Sequence, residues 1–207
     1  MTLGIETAEF LLSVVRNSDF PPLDQPEIAF SGRSNVGKST LLNLLAGRKK
    51  KLAKVSRAPG KTRAVNFFGM VTGWRLVDLP GYGYAKGSKT EIERWRKVTH
   101  NYLTTRRNLV GVVQLLDSRH SPSQLDGEMM KWLSDSQMPT VVALTKVDKL
   151  KSNERREIVR KFQKLWLKEL NWPVIPTSSQ MKIGREDLLS EIEKFLRNDG
   201  WGGSPPE

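Results

Sequence analysis

The sequence predicts an α/β domain: a mostly parallel sheet with helices on both faces. Two observations carry this. Short apolar runs alternate with longer amphipathic ones along nearly the whole chain. No internal repeat is present, and 207 residues suffice for one domain of ordinary size but are few for two.

Taken in order, residues 9–15 read as an edge strand rather than a helical turn, because the run is short and stops before Pro21 and Pro22. Residues 27–31 are a clear strand followed at once by a Gly-rich loop. Residues 39–46 read as a helix with Gly47 at its C-terminus, and residues 48–63 as a loop. Residues 64–71 and 74–78 are β-rich and joined by Thr72 and Gly73, a short hairpin signal. Residues 79–89, rich in Gly and Tyr, read as a loop. A helix follows over 90–107; Thr90 and Glu93 have capping-box spacing if it starts at Thr90. Residues 109–116 are a buried strand. Ser121 and Pro122 open a helix to about Ser134, and residues 140–144 are a strand. Residues 153–170 form a long basic helix, 174–177 a last strand and 184–197 a last helix. The expected organisation is an N-terminal extension with edge strand (1–22), a main domain (23–197) and a poorly ordered tail (198–207).

Composition narrows the function. Lys and Arg total 34 against 22 Asp and Glu, a net charge of +12. Such a surplus favours polyanionic partners. The absence of cysteine excludes disulfides, thiolate metal sites and a Cys nucleophile. Two histidines, His100 and His120, are too few for a His-rich metal centre. No apolar run approaches the roughly 18 residues of a membrane-spanning helix, and no basic segment suggests a signal peptide. The expected location is the cytoplasm.

The strongest motif is Gly32, Arg33, Ser34, Asn35, Val36, Gly37, Lys38, Ser39, which fits G-x-x-x-x-G-K-[ST] between a predicted strand and a predicted helix. Backbone N–H groups in such a loop turn inward around phosphate oxygens, and the helix N-terminus adds favourable potential for an anion. Lys38 should reach the β- and γ-phosphates and the Ser39 hydroxyl should bind Mg²⁺; Thr40 completes the predicted nucleotide contacts here. Thr145, Lys146, Val147 and Asp148 follow directly on a strand, at the carboxyl end where ligands bind in open α/β sheets. A carboxylate accepts two hydrogen bonds from guanine N1–H and N2–H₂, whereas adenine offers no matching pair. The bland alternative is a turn with Asp148 as a helix cap. Asp78, Leu79, Pro80 and Gly81 end the strand after the hairpin. Asp78 is a candidate Mg²⁺ ligand through water, and the Gly81 N–H a γ-phosphate contact. Ser178, Ser179 and Gln180 follow the last strand, where the Ser179 N–H is a candidate partner for guanine O6. Gly60, Lys61, Thr62 and Arg63 precede the hairpin. A Thr there binds Mg²⁺ and senses the γ-phosphate; the alternative is a solvated basic loop.

In this order, these elements resemble the motifs of the Ras-like P-loop GTPases and, more closely, the EngB (YihA/YsxC) family within the bacterial Era/TrmE-like group. The resemblance spans about residues 8–197, and the string Asp78-Leu-Pro-Gly-Tyr-Gly-Tyr84 is specific to few families. It implies a single G domain with a six-stranded sheet, one strand antiparallel, and an extra N-terminal strand as an option. It implies Mg²⁺-dependent GTP binding and hydrolysis to GDP and phosphate, with Lys38, Thr62 and Gly81 as catalytic positions and Ser39, Thr62 and Asp78 at the metal. It also implies a role in large ribosomal subunit assembly and in normal cell division and septation. Thr145 stands where many GTPases have Asn; its hydroxyl can still tie this loop to the phosphate loop. Tyr82 stands where many have a water-orienting Gln, which predicts slow intrinsic hydrolysis helped by a partner or by a monovalent cation. In related potassium-using enzymes an Asn like Asn35 helps hold the ion, so Asn35 is a candidate K⁺ ligand, a turn residue being the alternative.

Residues 48–63 carry eight Lys and Arg and no acid. Lys86, Lys89, Arg94, Arg96 and Lys97 form a second group within 86–97. Both suit phosphate contacts with a ribosomal subunit or rRNA, the alternative being a solvated basic face. Trp95, Tyr102, Trp132 and Trp166 read as core, whereas Tyr82 and Tyr84 are the candidates for stacking on a partner. The protein is expected to act as a monomer without stable membrane insertion. Two other classes compete: a metabolic nucleotide kinase, which leaves Thr145 to Asp148 unexplained, and a GTP-regulated adaptor at the membrane or division site without direct rRNA binding.

Overall fold

The computed structural model describes residues 3–47, 64–83, 89–168 and 170–198, with backbone only for residues 89–92 and 94–96. Gly60, Lys61, Thr62 and Arg63, the basic segment 48–63, Tyr84, Lys86 and the tail beyond Asn198 lie outside the described residues, as do the side chains of Lys89, Arg94, Trp95 and Arg96.

The elements are β1 (Glu9–Val14), β2 (Glu27–Gly32), α1 (Lys38–Ala46), β3 (Val65–Gly69), β4 (Arg75–Asp78), α2 (Lys89–Thr105), β5 (Leu109–Asp117), α3 (Gln124–Asp135), β6 (Thr140–Thr145), α4 (Ser152–Trp166), β7 (Val174–Pro176) and α5 (Arg185–Asn198). They form one seven-stranded sheet in the order β1-β3-β4-β2-β5-β6-β7. β2, β4, β5, β6 and β7 pair in parallel, while β3 runs antiparallel to both β4 and β1. The optional N-terminal strand is therefore real: it is β1, and it raises the count from six to seven.

Alternating side chains of the central strands feed two apolar layers. Ile28, Phe30, Val113 and Leu115 face Leu42 and Leu45 of α1 and Ile192 of α5. Ala29, Val77 and Val112 face Tyr102 of α2 and Leu133 of α3. Val142 and Leu144 face Phe162 of α4.

Several boundaries move for identifiable reasons. α3 starts after Ser123, not at Ser121, because the Ser123 hydroxyl accepts from the Asp126 N–H (3.3 Å) while the Asp126 carboxylate accepts from the Ser123 N–H (2.7 Å), a complete capping box. α2 begins at Lys89, one residue before the predicted Thr90 start. α4 ends at Trp166 because the chain turns at Leu167, which takes the buried place. Trp166 itself is 41% exposed and so is not core. Tyr102 is fully buried and Trp132 half-buried against the same layer.

The amino end of the sheet is closed by charge. Glu27 is fully buried. Its carboxylate pairs with Arg106, which also donates to the Pro21 carbonyl at 2.7 Å, and accepts from the Tyr102 hydroxyl at 2.9 Å. Arg75 lies 3.9 Å from Glu27 and donates to Asp24 (2.6 Å) and the Pro22 carbonyl (3.0 Å). Residues leading into β2 are thereby pinned beneath the sheet.

Candidate functional site

The carboxyl ends of β2, β4, β5, β6 and β7 converge on one cleft. β2 ends at Gly32, and the chain loops through Arg33 to Gly37 before α1 starts at Lys38. Gly37 has φ 110, a conformation L side chains resist, and this lets the chain turn directly into the helix. Asn35 sits at φ 64, where Asn is tolerated better than most residues, so its backbone alone accounts for an Asn here. The loop wraps over the N-terminus of a nine-residue helix, an arrangement suited to an anion.

Lys38, only 8% exposed, pairs with the Asp78 carboxylate at the end of β4. The Asn66 amide approaches the other Asp78 oxygen at 3.4 Å. Beyond Asp78 the chain crosses to the phosphate-loop segment. The Ser34 hydroxyl donates to the Gly81 carbonyl (2.9 Å), and the Ser34 N–H donates to the Tyr82 carbonyl (2.8 Å). A Cβ on Gly81 would stand 3.0 Å from the Ser34 backbone, so any larger residue there would have to push the phosphate loop aside by a few tenths of an ångström.

On the other side, the Thr145 hydroxyl donates to the Val36 carbonyl at 2.6 Å, tying this loop to the phosphate loop as its position suggested. Lys146, at φ 61, donates to the Asn35 carbonyl (2.7 Å) and to Asp117 (2.9 Å). Val147 is buried and opens a short 3₁₀ turn, Val147–Lys149, so Asp148 lies within a turn and is no helix cap. The Ser178 hydroxyl donates to Asp148 at 2.7 Å, and Lys149 lies 3.3 Å from the second Asp148 oxygen. Burial works to raise the Asp148 carboxyl, but the bonds from Ser178 and Lys149 outweigh it and hold the group below its ordinary value. It is an anion ready to accept. Gly37, Thr40, Thr145, Lys146, Asp148, Ser179 and Gln180 line a cavity together with Leu41, Lys149 and Thr177.

Asp117 escaped the sequence reading. Ending β5, it accepts from Arg119 (2.9 and 2.8 Å) and Lys146. Burial opposes its charge, yet these bonds hold it well below the usual carboxylate range. The available signal was an acid closing an apolar strand at the carboxyl edge of the sheet. Tyr82 corrects an expectation: at 5% exposure, with its hydroxyl bonded to Asp126, it is no stacking surface. Among the described residues no group of three or more His, Cys, Asp or Glu is arranged to hold a metal. No helix among them is long and apolar enough to cross a membrane.

Fold and site together define a P-loop GTPase with a Ras-like sheet. The family model described as 50S ribosome-binding GTPase matches residues 27–146. A probable GTP-binding protein EngB of Pelotomaculum thermopropionicum is 46% identical over 96% of this chain and 100% of its own length. The corresponding protein of Streptococcus equi is 48% identical over 94% of this chain and 97% of its own. A crystal structure of a probable GTP-binding protein EngB superposes with a TM-score of 0.65 at 28% identity, covering 83% of this chain and 99% of that one. The Era protein of Aquifex aeolicus bound to GDP and aluminium fluoride shares the fold, with a TM-score of 0.65 at 22% identity over 82% of this chain and 56% of its own. The chain belongs to the EngB family of GTP-binding proteins.

Proposed function

We propose that this chain is a Mg²⁺-dependent GTP switch with slow intrinsic hydrolysis, acting as a cytoplasmic monomer in assembly of the large ribosomal subunit and needed for normal cell division and septation. The observation that carries the nucleotide assignment is the Asp148 carboxylate, held by Ser178 at the cavity beside the phosphate loop. Its acceptor pair suits the guanine edge, and the Lys146 stem suits the base face. Arg33 to Thr40 bind the phosphates, with Lys38 leaving Asp78 to meet the β- and γ-oxygens. Gly81 and Thr62 position the attacking water through backbone groups near the γ-phosphate. Tyr82 points into the protein and leaves no amide to orient that water, which is why hydrolysis is slow.

One carboxylate (Asp78) and one hydroxyl (Ser39) at the mouth of the loop suit Mg²⁺, which favours oxygen ligands and shares them with phosphates and water. Bound there with Thr62, the ion would neutralise charge on the phosphates. In this reading residues 23–197 form the G domain, 1–22 an extension closing its edge, and 198–207 a tail. Two activators are open, a partner protein and K⁺ held by Asn35; faster hydrolysis in KCl than in NaCl would select the ion.

The ribosomal role rests on the family's description and on the net charge of +12, with residues 48–63 and 86–97 as the rRNA contacts. Sedimentation with separate ribosomal subunits, with GDP or a non-hydrolysable GTP analogue at two salt concentrations, tests it. GTP-selective, salt-sensitive binding to the large subunit is expected. Binding blind to nucleotide would reject the switch.

A further inference from the structure

Binding and hydrolysis of GTP call on the Gly81 peptide and not on the Tyr82 side chain. Yet this side chain is bonded more elaborately than packing requires. The Tyr82 hydroxyl donates to Asp126 Oδ1 at 2.7 Å. It accepts from the Gln114 amide, also at 2.7 Å. Asp126 Oδ2 in turn accepts from the N–H and hydroxyl of Ser123, at 2.7 and 2.6 Å. The bonds run one way, from the middle of β5 through the phenol to the start of α3. Burial, reinforced by Asp126, pushes the Tyr82 hydroxyl well above the usual phenol range, so it stays a donor.

Gln114 is fully buried, and its Oε1 has no hydrogen-bond partner among the described residues. An apolar side chain at that place in the sheet would avoid this desolvation cost. The polar node is therefore not explained by stability. What it does fix is position. The backbone of Tyr82 is clamped to the phosphate loop by its N–H to the Gly32 carbonyl (3.3 Å) and by the Ser34 N–H. Gly81 stands against the Ser34 backbone, where a Cβ would be 3.0 Å away. A shift of the Gly81 peptide must either carry the Tyr82 ring and Asp126 with it or break the bond between them.

We propose that Tyr82 is a positioning residue: its hydroxyl, held between Gln114 and Asp126, sets where the Gly81 peptide stands toward the γ-phosphate and couples that position to the start of α3. This rests on the GTP reading above, since it needs Gly81 at the γ-phosphate. GDP lacks that phosphate, so the coupling acts on GTP alone.

The test uses the full chain carrying Tyr82→Phe, which keeps the ring and removes the hydroxyl. Affinities for GDP and for a non-hydrolysable GTP analogue are titrated by fluorescence, and single-turnover hydrolysis is timed. The expected result is a change of about tenfold in the ratio of the two affinities, with GDP affinity held within about twofold. Gln114→Met should shift the same ratio in the same direction, and the double variant should add little to Tyr82→Phe alone. Equal losses for both nucleotides, or no change for either, overturn the proposal. Should Tyr82→Phe not fold, an unchanged ratio in Gln114→Met overturns it equally. Failure of the GTP reading appears elsewhere, as a wild-type chain without preference for GTP over ATP, and removes this proposal with it.

Discussion

The two ends of the sheet each bury a carboxylate against a cation, and they use the pair in opposite ways. At the amino end Glu27 has Arg106, the Tyr102 hydroxyl and, further off, Arg75 around it. Both arginines also hold backbone carbonyls of Pro21 and Pro22, and Arg106 stacks over Phe20 and Phe67. Every donor there belongs to the protein and has no competitor. At the carboxyl end Asp78 has, among the described residues, Lys38 and one long contact from Asn66. Lys38 is a point charge on a flexible stem with three donors, easily handed to another anion. The same chemistry thus builds a permanent fastening at one end and an exchangeable one at the other. Among the described residues the difference lies in partner count and in the choice of Arg or Lys.

Substitutions at the two ends should separate stability from binding. Arg106→Ala leaves Glu27 buried and short of its main partner, and urea unfolding should show a loss of about 3–5 kcal/mol with guanine-nucleotide affinity little changed. A stable variant that had lost nucleotide binding would break the contrast. Lys38→Ala should reverse the pattern, weakening GTP by on the order of 100-fold or more while costing about 1–2 kcal/mol of stability. Isothermal titration and melting curves on one preparation decide it; unimpaired GTP binding would remove Lys38 from the phosphate site.

Two smaller effects sharpen the picture at the carboxyl end. Asp148→Asn should weaken GTP by roughly 10- to 100-fold and favour xanthine nucleotides, because the amide donates where guanine also donates. Competition between GTP and XTP measures this, and retained GTP preference would deny Asp148 its role. Asp117→Asn concerns pH. The folded-state pKa of Asp117 is lowered, so its stabilisation is present above the unfolded value of about 3.9 and is lost as pH falls toward the folded value. Wild type should melt a few degrees above the variant near neutrality, with the gap closing below about pH 4. A gap independent of pH would mean that Asp117 acts by shape and not by charge.

What could be read from the residues divides along distance in the chain. The phosphate loop, the Thr72–Gly73 hairpin and the strand carrying Thr145 are local patterns, and the structure has them where the spacing places them. The link from Thr145 to the phosphate loop was legible because a hydroxyl there has one obvious use. The rest depends on neighbours far apart in sequence. Ser178 holding Asp148 joins residues 30 positions apart, and only Ser179 had suggested a role by its backbone. The glycines flanking Tyr82 mark it in the sequence as open to a partner. Its burial follows from Gln114 and Asp126, 32 and 44 residues away. Glu27 gave no sign that two arginines 48 and 79 residues later would surround it. Trp166 reads as core by residue type alone, yet it closes α4 on its open face, and Leu167, one residue on, takes the buried place.

β7 is three residues long, follows Pro173 and ends on Pro176. Proline has no amide hydrogen to lend a new strand, so this edge offers hardly any ladder for another chain to extend. The opposite edge, β1, is longer and carries exposed Phe10 and Leu11. In concentrated solution, unwanted strand-to-strand aggregation is therefore steered to the β1 side. The loops that hold Asp148 and Ser178 lie on the β7 side, away from the edge that another strand could most readily extend.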